Sequence, residues 1–127
     1  MNIFRFHKAE KFPPMVKGIE KYENFSVVKL AGAFDFDTMP SIERVIREHK
    51  GHGHIDQDVV LDFKEVTHID TSTLAVLIYI MNTLKQGQRK LCLINCGKLV
   101  KDYIKINRLQ SVIHVYRSLK DVPCKTE

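Results

Sequence analysis

The sequence predicts one α/β domain, a mixed and mostly parallel β-sheet with helices packed on it, in the order β-β-α-β-α-β-α-β. Three observations carry that prediction. Val59-Val60-Leu61-Asp62-Phe63 is a short, largely apolar run of the kind that fills a strand buried on both faces. Asp70 stands directly before Thr71-Ser72-Thr73 and a segment in which Leu74, Leu77, Ile78, Met81 and Leu84 recur at helical spacing. From there on, strand-like and helix-like segments alternate, which calls for right-handed crossovers between parallel strands.

Taken in order, residues 1–17 mix Phe4, Phe6, Phe12, Pro13 and Pro14 with basic residues and show no sustained period. They read as an N-terminal extension outside the main fold, either a strand-like arm or a disordered leader. The domain is expected over 18–122, with 123–127 as a polar tail. Residues 19–22 and 25–31 read as a β-hairpin, with Asn24 in the turn and Gly32 ending the second strand. Asp35, Asp37 and Thr38 supply N-cap chemistry for a helix to about His49, with Met39, Ile42, Val45, Ile46 and His49 on one face. Pro40 fits its first turn, and Gly51 and Gly53 break the chain after it. After the strand at 59–63, residues 64–69 read as a connection, and Asp70 as the N-cap of the central helix. Gly87 closes that helix beside Lys85, Arg89 and Lys90, which suit its dipole. Residues 91–95 form the next strand, and Leu99, Val100, Tyr103, Ile104 and Asn107 mark a third helix. Asn107 is expected to take the left-handed conformation at its end. Residues 112–116 are the last strand, with a short terminal helix at 118–122.

Composition narrows the class. A chain of 127 residues, 44% hydrophobic and 28% charged, is an ordinary globular domain. Its one long apolar segment, 74–84, is 11 residues and contains Asn82, too short and too polar to span a bilayer. The N-terminus lacks the continuous apolar region of a signal peptide. Cys92, Cys96 and Cys124 have no paired spacing, so reduced thiols in a cytoplasmic protein are expected, with Cys92 in the core. The net charge of +5 is spread over segments such as Lys85, Arg89, Lys90 and Lys98, Lys101, Lys105, Arg108, which read as solvated faces. No aromatic-rich strand accompanies it, so direct nucleic-acid binding is not expected, while an acidic protein partner fits. His49, His52 and His54 do not have zinc-site spacing and read as loop residues; no metal or cofactor is expected. There is no Gly-x-Gly-x-x-Gly, no Walker lysine loop and no nucleophile elbow, so the chain is not read as an enzyme.

Gly32-Ala33-Phe34-Asp35 after the second strand, and Asp70-Thr71-Ser72-Thr73-Leu74 at the central helix, resemble a STAS domain over about residues 18–122, of the anti-sigma factor antagonist type. The family's usual helix-start motif is Asp, Ser or Thr, Ser or Thr, Gly, then an aliphatic residue; Thr73 stands here at the glycine position. Asn107-Arg108-Leu109 is similar to the family's Gly-Leu pair after the third helix, with asparagine in place of glycine. The resemblance implies a regulatory module that binds an anti-sigma factor with serine-kinase activity and frees the sigma factor. Phosphorylation would switch it off at Ser72 (Thr71 being the alternative acceptor), and a separate phosphatase would reset it. It further implies partner contacts at Asp35, Asp70, Thr71, Ser72, Thr73 and Leu74. The alternative it leaves open is a phosphorylation-independent STAS adaptor, such as a stressosome-type scaffold or a transporter-complex subunit. With Asp70 as cap, Ser72 is the second helical residue, where backbone amides and the dipole favour an anion.

Overall fold

Residues 3–6, 15–48 and 57–123 are described by a computed structural model, the first of these stretches by its backbone. His49, His52, His54 and Cys124 lie outside the described residues. Strands Ile3–Phe6 (β1), Val16–Tyr22 (β2), Phe25–Phe34 (β3), Asp58–Ile69 (β4), Leu91–Ile94 (β5) and Ile113–Tyr116 (β6) form one sheet whose spatial order is the chain order. β1, β2 and β3 pair antiparallel; β3, β4, β5 and β6 pair parallel. Helices Met39–Glu48 (α1), Thr71–Gln86 (α2) and Lys98–Ile106 (α3) make the parallel crossovers, with short 3-10 turns at Phe36–Thr38 and Leu119–Asp121.

Because the strand order never reverses, right-handed crossovers place all three helices on one face of the sheet. The alternation of side chains along each strand divides the core to match. Val28, Leu30, Val59, Leu61, Leu91 and Leu93 pack with Ile42, Val45, Val76, Leu77, Ile80, Leu84, Val100 and Ile104 from the helices. Val27, Val60, Cys92 and Ile94 point the other way, into a smaller cluster with Tyr22, Phe25 and Val122, against which Tyr116 and Leu119 pack. The predicted α/β order and the doubly buried strand at 59–63 are therefore present.

Several expectations change in detail. The strand-like arm is the form taken at Ile3–Phe6, which adds a sixth strand by pairing with β2. Residues 64–69 are not a connection but the second half of β4, since Glu65, Val66, His68 and Ile69 pair with Ala31, Gly32, Ala33 and Phe34. Among the described residues this half has no strand partner on its other side, because β5 pairs only with residues 59–62. Its side chains are therefore mostly exposed and polar, and two register shifts break its period. Gly32 does not end β3; it lies inside it with φ +87, between those two shifts, a conformation that a side chain would strain. The buried face of α2 is Thr73, Val76, Leu77, Ile80 and Leu84, rotated from the predicted one, and Leu74 and Ile78 are only partly buried. The helix carries more apolar residues than one face can bury, so spacing alone did not select among them.

At the end of α3 the left-handed residue is Arg108 (φ 57), not Asn107 (φ −91). The Leu109 N–H donates to the Ile104 carbonyl and the Arg108 N–H to that of Lys105, a Schellman motif. Arg108-Leu109 thus stands where the Gly-Leu pair would. Gln88 (φ 61) does the same after α2, one residue beyond Gly87. Arg108→Gly and Gln88→Gly each relieve the left-handed strain of a side-chain-bearing residue. Each is expected to raise stability by about 0.5–1 kcal/mol, read as a higher denaturant midpoint with unchanged slope.

Candidate functional site

β3 and β4 end side by side, Phe34 opposite Ile69, and each is followed at once by Asp-x-x-Thr. The two tetrads, Asp35-Phe36-Asp37-Thr38 and Asp70-Thr71-Ser72-Thr73, fold alike. Asp35 accepts from the Asp37 N–H (3.0 Å), and the Asp35 N–H donates to Thr38 Oγ1 (2.9 Å). Asp70 accepts from the Ser72 N–H (2.8 Å), and the Asp70 N–H donates to Thr73 Oγ1 (2.9 Å). Each is a capping box, with the aspartate serving the open amides of the first turn and the threonine serving the aspartate's own amide.

The threonines tie the turns to the sheet. Thr38 Oγ1 donates to the Ala33 carbonyl (3.0 Å), and Thr73 Oγ1 donates across the strands to the Phe34 carbonyl (2.6 Å). Thr73 is 0% exposed. This corrects the expectation that Thr73 is part of a partner-facing surface: its hydroxyl is spent on the Phe34 carbonyl and the Asp70 amide, so the side chain turns inward. The remaining predicted residues come together at the surface, Thr71 exposed and Asp35, Asp70, Ser72 and Leu74 at least partly so.

Ser72 joins the two tetrads. Its hydroxyl donates to Asp70 Oδ1 (2.6 Å) and accepts from the Phe36 N–H (2.8 Å). These bonds from Ser72, first its hydroxyl and then its amide, hold the Asp70 carboxyl below its ordinary value. A carboxylate so stabilised is a poor proton acceptor, and its effect on Ser72 is orientation rather than general-base chemistry. A lowered folded-state value contributes stability above the unfolded aspartate value of about 3.9, lost as pH falls through the folded one. Asp70→Asn, which can still cap, is expected to flatten that loss, seen as a shallower fall in the thermal midpoint below roughly pH 4.

Phe36 is the residue that sequence reasoning missed. It is 62% exposed, and its amide is held by Ser72. The available signal was the repeated Asp-x-x-Thr spacing, which places Phe36, between Asp35 and Asp37, in a cap turn. Cys92 and Cys96 are removed from chemistry here: burial pushes their thiols up to about 11 and about 12. Among the described residues no three His, Cys, Asp or Glu side chains are placed to hold a metal ion. No helix of the described residues is long and apolar enough to cross a membrane.

Comparison with known proteins matches this arrangement to one family. The model of the STAS domain matches residues 17–122. An anti-sigma-B factor antagonist of Staphylococcus aureus is 23% identical over 93 residues, 73% of this chain and 84% of its own length. Two solved structures share the fold. SpoIIAA, an anti-sigma factor antagonist solved in its unphosphorylated form, superposes with a TM-score of 0.62 at 14% identity, covering 81% of this chain and 89% of its own. An anti-sigma factor antagonist of Mycobacterium paratuberculosis gives 0.61 at 20% identity, covering 81% and 86%. With that model matched over residues 17–122, the chain belongs to the STAS domain family.

Proposed function

We propose that this chain is an anti-sigma factor antagonist whose binding surface is formed by the Asp35 turn and the Asp70-Thr71-Ser72-Leu74 helix start. Its partner is an anti-sigma factor with serine-kinase activity, and phosphorylation at Ser72 ends the interaction until a phosphatase removes the group. One observation carries this reading. The Ser72 hydroxyl lies at a helix N-terminus, oriented by Asp70 and bonded to the neighbouring turn through the Phe36 amide. Esterification removes the proton that Ser72 gives Asp70 and adds a charge of about −1.5 to −2 beside Asp70 and the Asp35–Asp37 turn. The names of the similar proteins point the same way.

Two features favour a phosphorylation-independent adaptor, the net charge of +5 and the threonine at position 73, and the structure bears on the second. Its side chain is buried and adds no bulk to the outer surface of the turn, which supports the switched reading.

The test is intact-mass analysis with site mapping after incubation with ATP and the anti-sigma-type kinases of the source organism. One added phosphate on wild type and none on Ser72→Ala is expected. Transfer that persists in Ser72→Ala would place the acceptor at Thr71, and no transfer by active kinases would return the reading to an adaptor. Phe36 supplies a second expectation. Phe36→Ala is expected to weaken partner binding by more than about 1 kcal/mol while stability stays within about 0.5 kcal/mol, by calorimetric titration and denaturant unfolding.

A further inference from the structure

A second surface lies at the β6 edge of the sheet, away from the ends of β3 and β4. β6 pairs with β5 on one side and is the last strand of the sheet among the described residues, so along its outer side alternate main-chain N–H and C=O groups have no strand partner among those residues. An open trough of about 510 Å³ runs along it, lined by Lys101 and Lys105 of α3 and by His114, Tyr116 and Arg117. Among the described residues no carboxylate lines it. Lys101 and Lys105, four apart on one helix face, and Arg117 at the end of β6 are exposed and make no salt bridge with a described residue.

We propose that the β6 edge, with Lys101, Lys105 and Arg117, is a docking site for an extended acidic segment of another protein, which adds to the sheet as a strand. The two features select the occupant together. A free strand edge offers donors and acceptors in alternation, and a peptide backbone answers both. A phosphodiester chain carries acceptors only and leaves the outward carbonyls of β6 unmatched. A second copy of this chain, pairing β6 with β6, would set the same three cations against one another, which costs affinity. An acidic strand sets its acidic side chains on the helix face of the sheet, toward Lys101 and Lys105, while its alternate apolar side chains fall on the opposite face, beside His114 and Tyr116. This site does not use Ser72 and is independent of the proposed switch.

The test uses the full chain and a short labelled peptide of alternating glutamate and valine, beside the same peptide with lysine in place of glutamate. Fluorescence anisotropy is expected to show saturable binding of the acidic peptide and none of the basic one. Bound peptide is expected to slow amide hydrogen exchange at Ile113–Tyr116. Lys101→Gln/Lys105→Gln, two exposed changes that leave the fold intact, is expected to weaken binding about tenfold. Equal binding of both peptides, undiminished binding by the double variant, or absence of protection along β6 would overturn the proposal. So would a single-stranded oligonucleotide that displaces the peptide and protects the same amides, or protection of those amides by self-association of the chain.

Discussion

Replacing Thr73 by valine lowers the stability of the domain by about 2–4 kcal/mol, although valine has nearly the same shape. Thr73 is wholly buried, and its single hydroxyl serves two groups at once: it donates to the Phe34 carbonyl and accepts from the Asp70 amide. Valine fills the space and takes the hydroxyl from both, at about 1–3 kcal/mol for the buried Phe34 carbonyl and less for the part-buried Asp70 amide. The same substitution at exposed Thr71 is expected to stay within about 0.5 kcal/mol. Urea midpoints of the two variants make the comparison, with an unchanged slope confirming that the folded state itself has been weakened. A loss at Thr73 no larger than that at Thr71 would mean that the hydroxyl does not hold the turn to β3.

The proposed phosphorylation of Ser72 is expected to separate binding from folding. At the second position of α2 a phosphate lies near the open amides and the positive end of the helix, an interaction of about 0.3–1 kcal/mol in favour of the folded state. The lost hydroxyl bond to Asp70 and the added charge beside that carboxylate act against it, so the net change in stability is small. A partner packed on the same turn meets a dianion flanked by Asp70 and the Asp35–Asp37 turn. Desolvation and repulsion there are expected to cost about 2–4 kcal/mol, a fall in affinity of roughly thirty-fold to a thousand-fold. Ser72→Ala removes the proposed acceptor and is expected to bind the partner whether or not kinase and ATP are present.

How much of this was legible in the sequence depends on what each residue answers to. Asp70 as a cap, and the helix behind it, followed from local spacing, because capping is decided within one turn. Val59, Val60 and Leu61 announced a strand buried on both faces because both of its faces meet apolar neighbours. The second half of β4 did not announce itself. It has a neighbour on one side only, so Lys64, Glu65 and His68 face water and look like a loop. The left-handed turn at Arg108 was hidden for another reason. Asn107 next to it is the better left-handed residue, but the Leu109 amide must reach the Ile104 carbonyl, and that geometry sets which residue turns.

The candidate site shows the same division. Asp35, Asp70, Ser72 and Thr73 stood out by type and position, and the structure brings them onto two adjoining turns. What spacing could not supply was the direction of each side chain. Thr73 points inward and Phe36 outward, the reverse of what a polar and an aromatic residue suggest. Both follow from the duplicated capping box, in which the threonine at the fourth position must reach back and the residue after the aspartate has nowhere to pack.

The most direct measurement is a calorimetric titration of the anti-sigma factor into this protein, once unmodified and once fully phosphorylated on Ser72, with the thermal midpoint of each form recorded alongside. The predicted result is binding by the unmodified form, none by the phosphorylated form at the same concentrations, and midpoints within a few degrees of one another. Equal affinity of the two forms would contradict a switch at Ser72, and so would a loss of binding accompanied by loss of the fold.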